Sequence, residues 1–193
     1  MDILLFGIQG SGKGTQGHML VDRFGFYFFE AGAELRKIIA SGTDLGKTIA
    51  SYIDQGNLVP YQIMMDVMRE ALEKIPPGTT ILFDGIPRDI DQKQYFDSMM
   101  QAAGRTFHCI ELIVDESVVI HRLLTRGKVQ GRMDDQDESS IRKRMAIFHE
   151  KTKPLIEEYR SRGLVSTIDA NATPAEVDER IRFVLARLGY GVR

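Results

Sequence analysis

The stretch GIQGSGKG at residues 7–14 constrains this chain more than any other part of the sequence. It follows the apolar run of residues 3–6 and has the strand–loop–helix context of a phosphate-binding loop (P-loop). In such a loop, backbone N–H groups point at phosphate oxygens at the N-terminus of a helix. Gly7, Gly12 and Lys13 fit the G-x-x-x-x-G-K spacing, and Lys13 is predicted to reach the outer phosphates. The sequence therefore predicts a polyphosphate-binding α/β domain.

The residue after the lysine departs from that pattern. It is Gly14, where a Ser or Thr would bind magnesium directly, and the hydroxyl comes one position later at Thr15. We therefore predict no direct protein ligand and Mg²⁺ that is carried by the nucleotide's own oxygens and by water. A later apolar run ends in Asp84, where the carboxyl end of a strand would meet the ligand. This carboxylate is predicted to order magnesium-bound water, and the alternative is that it caps the next turn.

The rest of the chain alternates between apolar runs and helical patterns. The runs are nearly continuous, which is typical of strands that are covered on both faces. This alternation predicts a three-layer α/β fold, with a five-stranded parallel sheet and helices on both faces. The predicted strands are residues 3–6, 26–29, 80–83, 107–114 and 164–168.

Three helices can be predicted in some detail. Residues 62–75 carry apolar side chains at spacings of three and four. Near the end of the chain, Thr173 and Glu176 have the spacing of a capping box at a helix N-terminus. A long helix that starts at about residue 137 is expected to bend at Pro154.

Length and composition exclude several classes of protein. The 193 residues suffice for one compact domain, and the formal net charge of −2 gives no basic field for nucleic acid or a membrane surface. Any strong anion binding must then come from locally clustered arginines. Cys109 is the single cysteine, so neither an internal disulfide nor a cysteine-rich zinc site is expected. With no signal peptide and no run of 18 apolar residues, we expect a cytoplasmic protein.

A second set of motifs predicts a local cluster of arginines. GIPR, at residues 85–88, follows Asp84 directly and aims Arg88 at the place where the P-loop ends. Further guanidiniums would be needed if a second phosphate lies opposite the first, with charge spreading over a phosphoryl group in transfer. The remaining candidates are Arg122, Arg126, Arg132 and Arg144.

Three motifs together resemble the adenylate kinase group of nucleoside monophosphate kinases: GIQGSGKGTQ, FDGIPRDIDQ and GRMDDQDESSIRKRM. The resemblance extends from Met1 to about Arg187. It implies phosphoryl transfer from Mg-ATP to a nucleoside monophosphate, with ATP and AMP giving two ADP, by a monomeric enzyme of nucleotide biosynthesis. It also implies a single domain, residues 1–193, with an NMP-binding insert, a short lid and no zinc. The core would be 1–30, 61–121 and 145–193, the insert about 31–60 and the lid about 122–144.

The resemblance also assigns residues to the site. Gln92 would read the acceptor base, Arg122 would stack on the ATP adenine, and Asp134 and Asp135 would orient the lid arginines. No general base is implied, because the attacking phosphate oxygen is already ionised. The catalytic residues would be Lys13, Arg88, Arg126, Arg132 and Arg144. ATP would be bound by Gly10, Ser11, Gly12, Lys13, Gly14, Thr15, Arg122 and Arg126. The monophosphate would be bound by Ala31, Arg36, Val59, Gly85, Arg88, Gln92, Arg132 and Arg144.

The chain departs from the family pattern at the start of the acceptor-binding helix. EAGAELR, at residues 30–36, stands where the family usually has S-T-G-D-x-x-R, so a hydroxyl is lost at Ala31 and a carboxylate at Ala33. Ala31 resembles the UMP/CMP kinase branch, whereas Gln92 resembles the adenylate branch and can pair with adenine's edge. AMP is the favoured acceptor. The alternatives are UMP or CMP with the same mechanism, or a catalytically impaired nucleotide-binding or assembly factor.

Two smaller departures concern the lid and the loop before Arg88. One residue more than the family pattern separates Arg132 from Arg144, which leaves Arg142 as an alternative for the role of Arg144. Ile86 replaces the family's usual phenylalanine, and whether the peptide bond of Pro87 is cis is left open. These changes suggest a divergent or slow member of the group.

Overall fold

The computed structural model describes residues 1–135 and 137–191. In this part of the chain a five-stranded sheet has the order β2-β3-β1-β4-β5, and every pairing is parallel. The predicted three-layer α/β fold is confirmed, and each strand begins and ends within one residue of its predicted run. The strands are β1 (Asp2–Phe6), β2 (Tyr27–Glu30), β3 (Ile81–Asp84), β4 (Phe107–Ile113) and β5 (Val165–Asp169).

Burial of the strands explains why the apolar runs are continuous. Every residue of β1 and β3 is buried, because both strands lie inside the sheet and are covered on both faces. The edge strands β2 and β5 are only partly buried. In register, Glu30 lies beside Asp84, and Asp84 lies beside Leu5. The carboxyl ends of β2, β3 and β1 therefore meet at one edge of the sheet, where ligands bind in open α/β folds.

Helices connect and cover these strands. The described residues form α1 (Lys13–Phe24), α2 (Ala31–Ala40), α3 (Asp44–Ile53), α4 (Tyr61–Leu72), α5 (Ile90–Ala102), α6 (Glu116–Gln130), α7 (Glu138–Ile147), α8 (Lys153–Ser161) and α9 (Pro174–Arg187). A run of buried aromatic rings joins the sheet to α5 and α8, with ring centroids 5.2 to 6.0 Å apart. The rings belong to Phe29, Phe83, Phe96, Phe107 and Tyr159. This packing fixes the sheet beneath its ligand-binding edge.

The helix predictions hold with two corrections. The capping box of Thr173 and Glu176 is present at the start of α9. The predicted helix over residues 62–75 corresponds to α4, which ends at Leu72. The long helix is not interrupted at Pro154 itself: a π-helical turn at Phe148–Thr152 comes before it and separates α7 from α8. Proline lacks an N–H and its ring would clash with the carbonyl four residues earlier, and the wider turn accommodates both effects.

Two groups of elements lie over the ligand-binding edge. One consists of α2 and α3. The other consists of the end of α6, a 3₁₀ turn at Met133–Asp135 and the start of α7. The charged segment that follows Arg126 is thus helical as far as Gln130. The two groups touch, since Lys143 Nζ donates to the Gln55 carbonyl oxygen at 2.9 Å. No helix among the described residues combines the length and apolar composition that crossing a bilayer requires.

Candidate active site

The P-loop ends where α1 begins. Gly12 occupies the N-cap position with φ 103°, a left-handed backbone conformation that residues other than glycine rarely adopt. Its position leaves the helix N-terminus without a side-chain cap. Lys13 is the first helical residue, and its Nζ donates to the carbonyl oxygens of Gly7 at 2.7 Å and Ile8 at 3.1 Å. The loop therefore offers backbone N–H groups and one ammonium to an anion at the positive end of the helix.

Lys13 faces Asp84 across the loop, with 4.0 Å between Nζ and Oδ1. Burial lowers the pKa of Lys13, although the charge of Asp84 opposes this effect. Burial likewise raises the pKa of Asp84, against the opposing charges of Lys13 and Arg88. Asp84 Oδ1 is buried and has no hydrogen-bond partner among the described residues. Both groups are thus incompletely solvated, which a bound polyphosphate with its metal-held water would correct.

A cavity of about 700 Å³ opens beside this pair. Its lining includes Asp84 and every residue predicted to act in catalysis or to bind a nucleotide: Gly10, Ser11, Gly12, Lys13, Gly14, Thr15, Ala31, Arg36, Val59, Gly85, Arg88, Gln92, Arg122, Arg126, Arg132 and Arg144. Of the two aspartates predicted to orient arginines, Asp134 lines the cavity and Asp135 does not. Arg36, Arg88 and Arg132 therefore face the same space as Lys13 instead of being scattered over outer surfaces.

The cavity is far more basic than the chain as a whole. Lys13 and six arginines line it, whereas its carboxylates are those of Glu30, Asp84 and Asp134. Burial, followed by the neighbouring positive charges of Arg126 and Arg36, lowers the pKa of Arg132. The pKa of Arg88 is also lowered, chiefly by burial. Crowded guanidiniums of this kind are stabilised by an anion that lies between them.

The loop that carries Arg88 is held at several points. The Ile86–Pro87 peptide bond is cis. Arg88 Nε donates to the Gly85 carbonyl oxygen at 2.8 Å, and a Cβ on Gly85 would lie 2.8 Å from Arg88 Nη2. The Arg88 N–H donates to Gln92 Oε1 at 2.9 Å, and the hydroxyl of Thr152 donates to the Arg88 carbonyl oxygen at 2.8 Å. The guanidinium is thus fixed largely by backbone atoms.

Arg36 reaches the cavity from the second turn of α2. Its Nη2 donates to Glu30 Oε1 at 2.8 Å, and its Nη1 lies 3.0 Å from the position that a Cβ on Gly32 would take. Glu34, on the same helix, pairs instead with Lys37 at 2.7 Å. Glu30 is thus the carboxylate partner of Arg36. Glu34 lies outside the described lining of the cavity.

Two of the arginines predicted to belong to the lid are joined to two aspartates. Arg144 donates to Asp134 Oδ2 at 2.8 Å and to Asp135 Oδ1 at 2.7 Å, and Arg126 Nε donates to Asp135 Oδ2 at 2.6 Å. Burial alone would raise the pKa of Asp135, but these hydrogen bonds outweigh it and lower the pKa. Arg142 lies on the surface and pairs with Glu138, so Arg144 is the arginine that faces the cavity.

An apolar wall lies where the sequence predicts that the acceptor base binds. Val59, Met64 and Leu35 are buried and line the cavity beside Ala31. Gln92 is also buried there, and its oxygen already accepts one hydrogen bond from the Arg88 N–H. The second lone pair of that oxygen and the amide N–H groups remain for a base. Arg122 stands at another part of the lining, exposed on α6.

Sequence reasoning missed two residues. Glu30 ends β2 in the same register as Asp84 ends β3, and aligning the two strand ends would have revealed it. Thr152 sits in the π-helical turn, 64 positions after the Arg88 carbonyl that it contacts. No local pattern in the sequence signals such a distant contact.

Side chains that could ligate a metal are not clustered in the described part of the chain. Over residues 1–135 and 137–191, no three His, Cys, Asp or Glu side chains come close enough to hold an ion. Cys109 is buried in β4, and burial raises the pKa of its thiol. The buried Asp84 Oδ1, which accepts no hydrogen bond from the described residues, suits water held by a nucleotide-bound Mg²⁺, because hard cations prefer oxygen donors.

Comparison with known proteins agrees with this geometry. The sequence profile described as adenylate kinase matches residues 5–164. The chain is 38% identical to the adenylate kinase of Phocaeicola vulgatus, over 84% of this chain and 86% of the relative. It is 35% identical to that of Flavobacterium johnsoniae, over 97% and 100%. It is 34% identical to that of Thermus thermophilus, over 95% and 96%. The chain belongs to the adenylate kinase family.

Proposed function

We propose that the protein transfers the γ-phosphoryl group of ATP reversibly to AMP and so forms two molecules of ADP. The observation that carries this proposal is the placement of Lys13, Arg36, Arg88 and Arg132 around one cavity. A site for ATP alone needs the P-loop and its lysine, which leaves the other guanidiniums without a ligand. A second phosphate chain that meets the first end to end gives them one.

In this mechanism an oxygen of the acceptor's phosphate attacks the γ-phosphorus. The new P–O bond forms as the bond to the β-phosphate oxygen breaks, and ADP leaves from the P-loop. Lys13, Arg126, Arg132 and Arg144 neutralise the charge on the moving group, and Arg88 and Arg36 hold the acceptor's phosphate. The attacking oxygen is already ionised, so no side chain needs to accept a proton.

Magnesium has no direct protein ligand in this proposal. Asp84 would hold its bound water, since this buried carboxylate oxygen accepts no hydrogen bond from the described residues. The ion would supply neutralising charge between the β- and γ-phosphates. Thr15 is exposed at the loop and contributes to ATP binding with Gly10, Ser11, Gly12 and Gly14.

The acceptor base is assigned from the wall beside Arg88. Ala31 and Val59 would pack against the base, Gln92 would read its edge, and Gly85 would leave room for the Arg88 guanidinium. An amide offers both donor and acceptor groups, which complement the N6 amino group and N1 of adenine. On the donor side, Arg122 would stack on the ATP adenine.

Two segments are proposed to cover the reactants. The NMP-binding insert at about 31–60 would close on the acceptor, and the short lid at about 122–144 would close on ATP. Their contact between Lys143 and the Gln55 carbonyl oxygen supports a closed arrangement that keeps water from the phosphoryl group. We further propose that the protein is a cytoplasmic monomer. One chain suffices for the reaction, because one cavity of the described chain contains both the P-loop residues and the arginines proposed to bind the acceptor.

One assay separates this function from the alternatives. The protein is mixed with Mg-ATP and, in turn, with AMP, UMP, CMP or GMP, and diphosphate formation is measured. We expect turnover with AMP at least tenfold faster than with the other three. Faster turnover with UMP or CMP would assign the UMP/CMP specificity that Ala31 resembles. ATP loss without an acceptor would indicate a hydrolase, and no turnover at all would indicate a nucleotide-binding factor.

A further inference from the structure

We infer that Glu30 is a positioning residue: it holds the guanidinium of Arg36 over the backbone of Gly32 before the acceptor binds, and so increases the affinity for the monophosphate. The inference rests on the proposed function, because it takes Arg36 as a ligand of the acceptor's phosphate. Nothing in the motifs of the chain assigns a role to a carboxylate at this position.

The contacts of Arg36 carry the inference. Glu30 Oε1 accepts from Arg36 Nη2 at 2.8 Å, and it is the only carboxylate with an ion pair to Arg36 among the described residues. Arg36 Nη1 lies 3.0 Å from where a Cβ on Gly32 would stand, so the side chain folds back over that backbone. The segment from 30 to 36 thus supplies both an acceptor for the guanidinium and the space that it occupies.

The geometry leaves Arg36 able to bind an anion at the same time. A guanidinium carries five N–H donors in a planar fork, and Glu30 engages Nη2 alone. Nε and Nη1 make no hydrogen bond within the described part of the chain and remain available for phosphate oxygens. Glu30 therefore orients Arg36 without using the donors that a phosphate would need.

Charge explains why Arg36 needs a partner. Its side chain is 37% exposed and belongs to a group of guanidiniums that repel one another. The charge of Arg36 contributes to lowering the pKa of both Arg88 and Arg132, after the larger effect of burial. Without a carboxylate beside it, Arg36 would lower its free energy by swinging into solvent. Ordering it would then cost affinity each time the acceptor binds.

The test is the affinity of the free protein for AMP, measured by isothermal titration calorimetry without ATP. Glu30→Ala is expected to raise the Kd for AMP roughly five- to tenfold, because a charge-assisted hydrogen bond no longer orders Arg36. Glu30→Gln keeps an acceptor oxygen at the same reach and is expected to raise it about twofold. In steady-state assays the KM for AMP should rise in parallel, while kcat and the KM for ATP stay within about twofold.

Two further variants show whether the effect passes through Arg36. In an Arg36→Ala background, Glu30→Ala is expected to change the Kd for AMP by less than about twofold. Glu34→Ala is the matched control, since Glu34 lies on the same helix and pairs with exposed Lys37. It should leave the Kd unchanged.

Several results would overturn the inference. An unchanged Kd in Glu30→Ala would mean that Arg36 is ordered without it, and a lower Kd would mean that Glu30 competes with the phosphate. An equal effect in the presence and absence of Arg36 would place the action of Glu30 elsewhere. A protein that binds AMP but forms no ADP would contradict the proposed function and still allow the effect of Glu30 to be measured.

Discussion

The two halves of the cleft differ in the groups that form them. On the donor side, the P-loop presents backbone N–H groups at the start of α1, and Lys13 donates to carbonyl oxygens of the same loop. On the acceptor and lid side, side chains contact other side chains: Arg36 with Glu30, and Arg126 and Arg144 with Asp135. The donor half thus depends on one short run of sequence, whereas the other half is assembled from separate segments, at residues 30–36 and 126–144.

This difference explains why only one half follows its family pattern closely. Backbone groups are supplied by any residue, and the pattern need only fix glycines and one lysine. A guanidinium needs a partner that compensates its charge, and the partner can change position. In this chain Arg36 pairs with Glu30 at the end of β2, and Glu34 on its own helix pairs with Lys37.

The largest effect is expected on the donor side. Lys13→Met should lower kcat for ADP formation by at least about a thousandfold, since Lys13 supplies the only ammonium among the described residues that line the cavity. Preorganised charge is the main catalytic device of such a site. The measurement is the initial rate with saturating AMP and Mg-ATP. Lys37→Met, on the surface of α2, is the control and should retain full activity. Loss of less than tenfold in Lys13→Met would contradict the assignment.

Two arginines on the acceptor side should differ from each other. Arg88→Ala is expected to lower kcat/KM for AMP by roughly two to three orders of magnitude, with its fold intact, because the guanidinium is fixed by backbone atoms at the phosphate. Arg36→Ala should lower it about tenfold and act mainly through KM, since this residue is more loosely held. Arg69→Ala, a surface residue paired with Asp66, is the control. Equal losses in the two variants would contradict the distinction.

Much of the fold and the site could be predicted from the sequence. The positions of the strands could be predicted because a parallel sheet that is covered on both faces requires continuous apolar runs. The residues of the cavity could be predicted because the motifs that carry them lie near the carboxyl ends of the strands, at one edge of the sheet. Asp134 and Asp135 were expected to orient arginines of the lid, and they pair with Arg144 and Arg126. The contacts of Glu30 with Arg36 and of Thr152 with the Arg88 carbonyl were not predicted, because the fold brings these groups together and no local motif signals them. The π-helical turn at Phe148–Thr152 was also not predicted, since the sequence indicated only a bend at Pro154.

The segment proposed as the lid should lose stability in acid through the carboxyl group of Asp135. The pKa of Asp135 is lowered in the folded protein by Arg126 and Arg144, so its contribution is present above the unfolded pKa of about 3.9 and is lost as the pH falls through the folded value. Asp135→Asn is expected to lower the free energy of unfolding by about 2 to 4 kcal/mol at pH 7. The difference from the wild type should shrink towards pH 3.

Denaturant unfolding at a series of pH values measures this difference. Asp66→Asn removes an exposed pair with Arg69 and should lie within about 0.5 kcal/mol of the wild type throughout. A gap for Asp135→Asn that stays constant from pH 7 to pH 3 would show that the carboxylate's charge does not stabilise the lid.

A smaller effect is expected from a contact behind Arg88. Thr152→Val removes the hydroxyl that donates to the Arg88 carbonyl oxygen while keeping the volume of this buried side chain. Loss of one such hydrogen bond should lower kcat/KM for AMP about three- to fivefold and leave the KM for ATP unchanged. Thr167→Val on β5 serves as the control, because the Thr167 hydroxyl accepts a hydrogen bond from Arg160 of α8. Equal changes for the two substrates would show that Thr152 acts on stability alone.

The central claim is that two nucleotides lie in one cavity with their phosphate chains end to end. Calorimetric titration with an analogue that joins two adenosines through five phosphates tests it directly. The account predicts one molecule bound per chain, at least about a hundredfold more tightly than ATP, because one ligand then fills both halves of the cleft. Binding no tighter than that of ATP, or two molecules per chain, would contradict it.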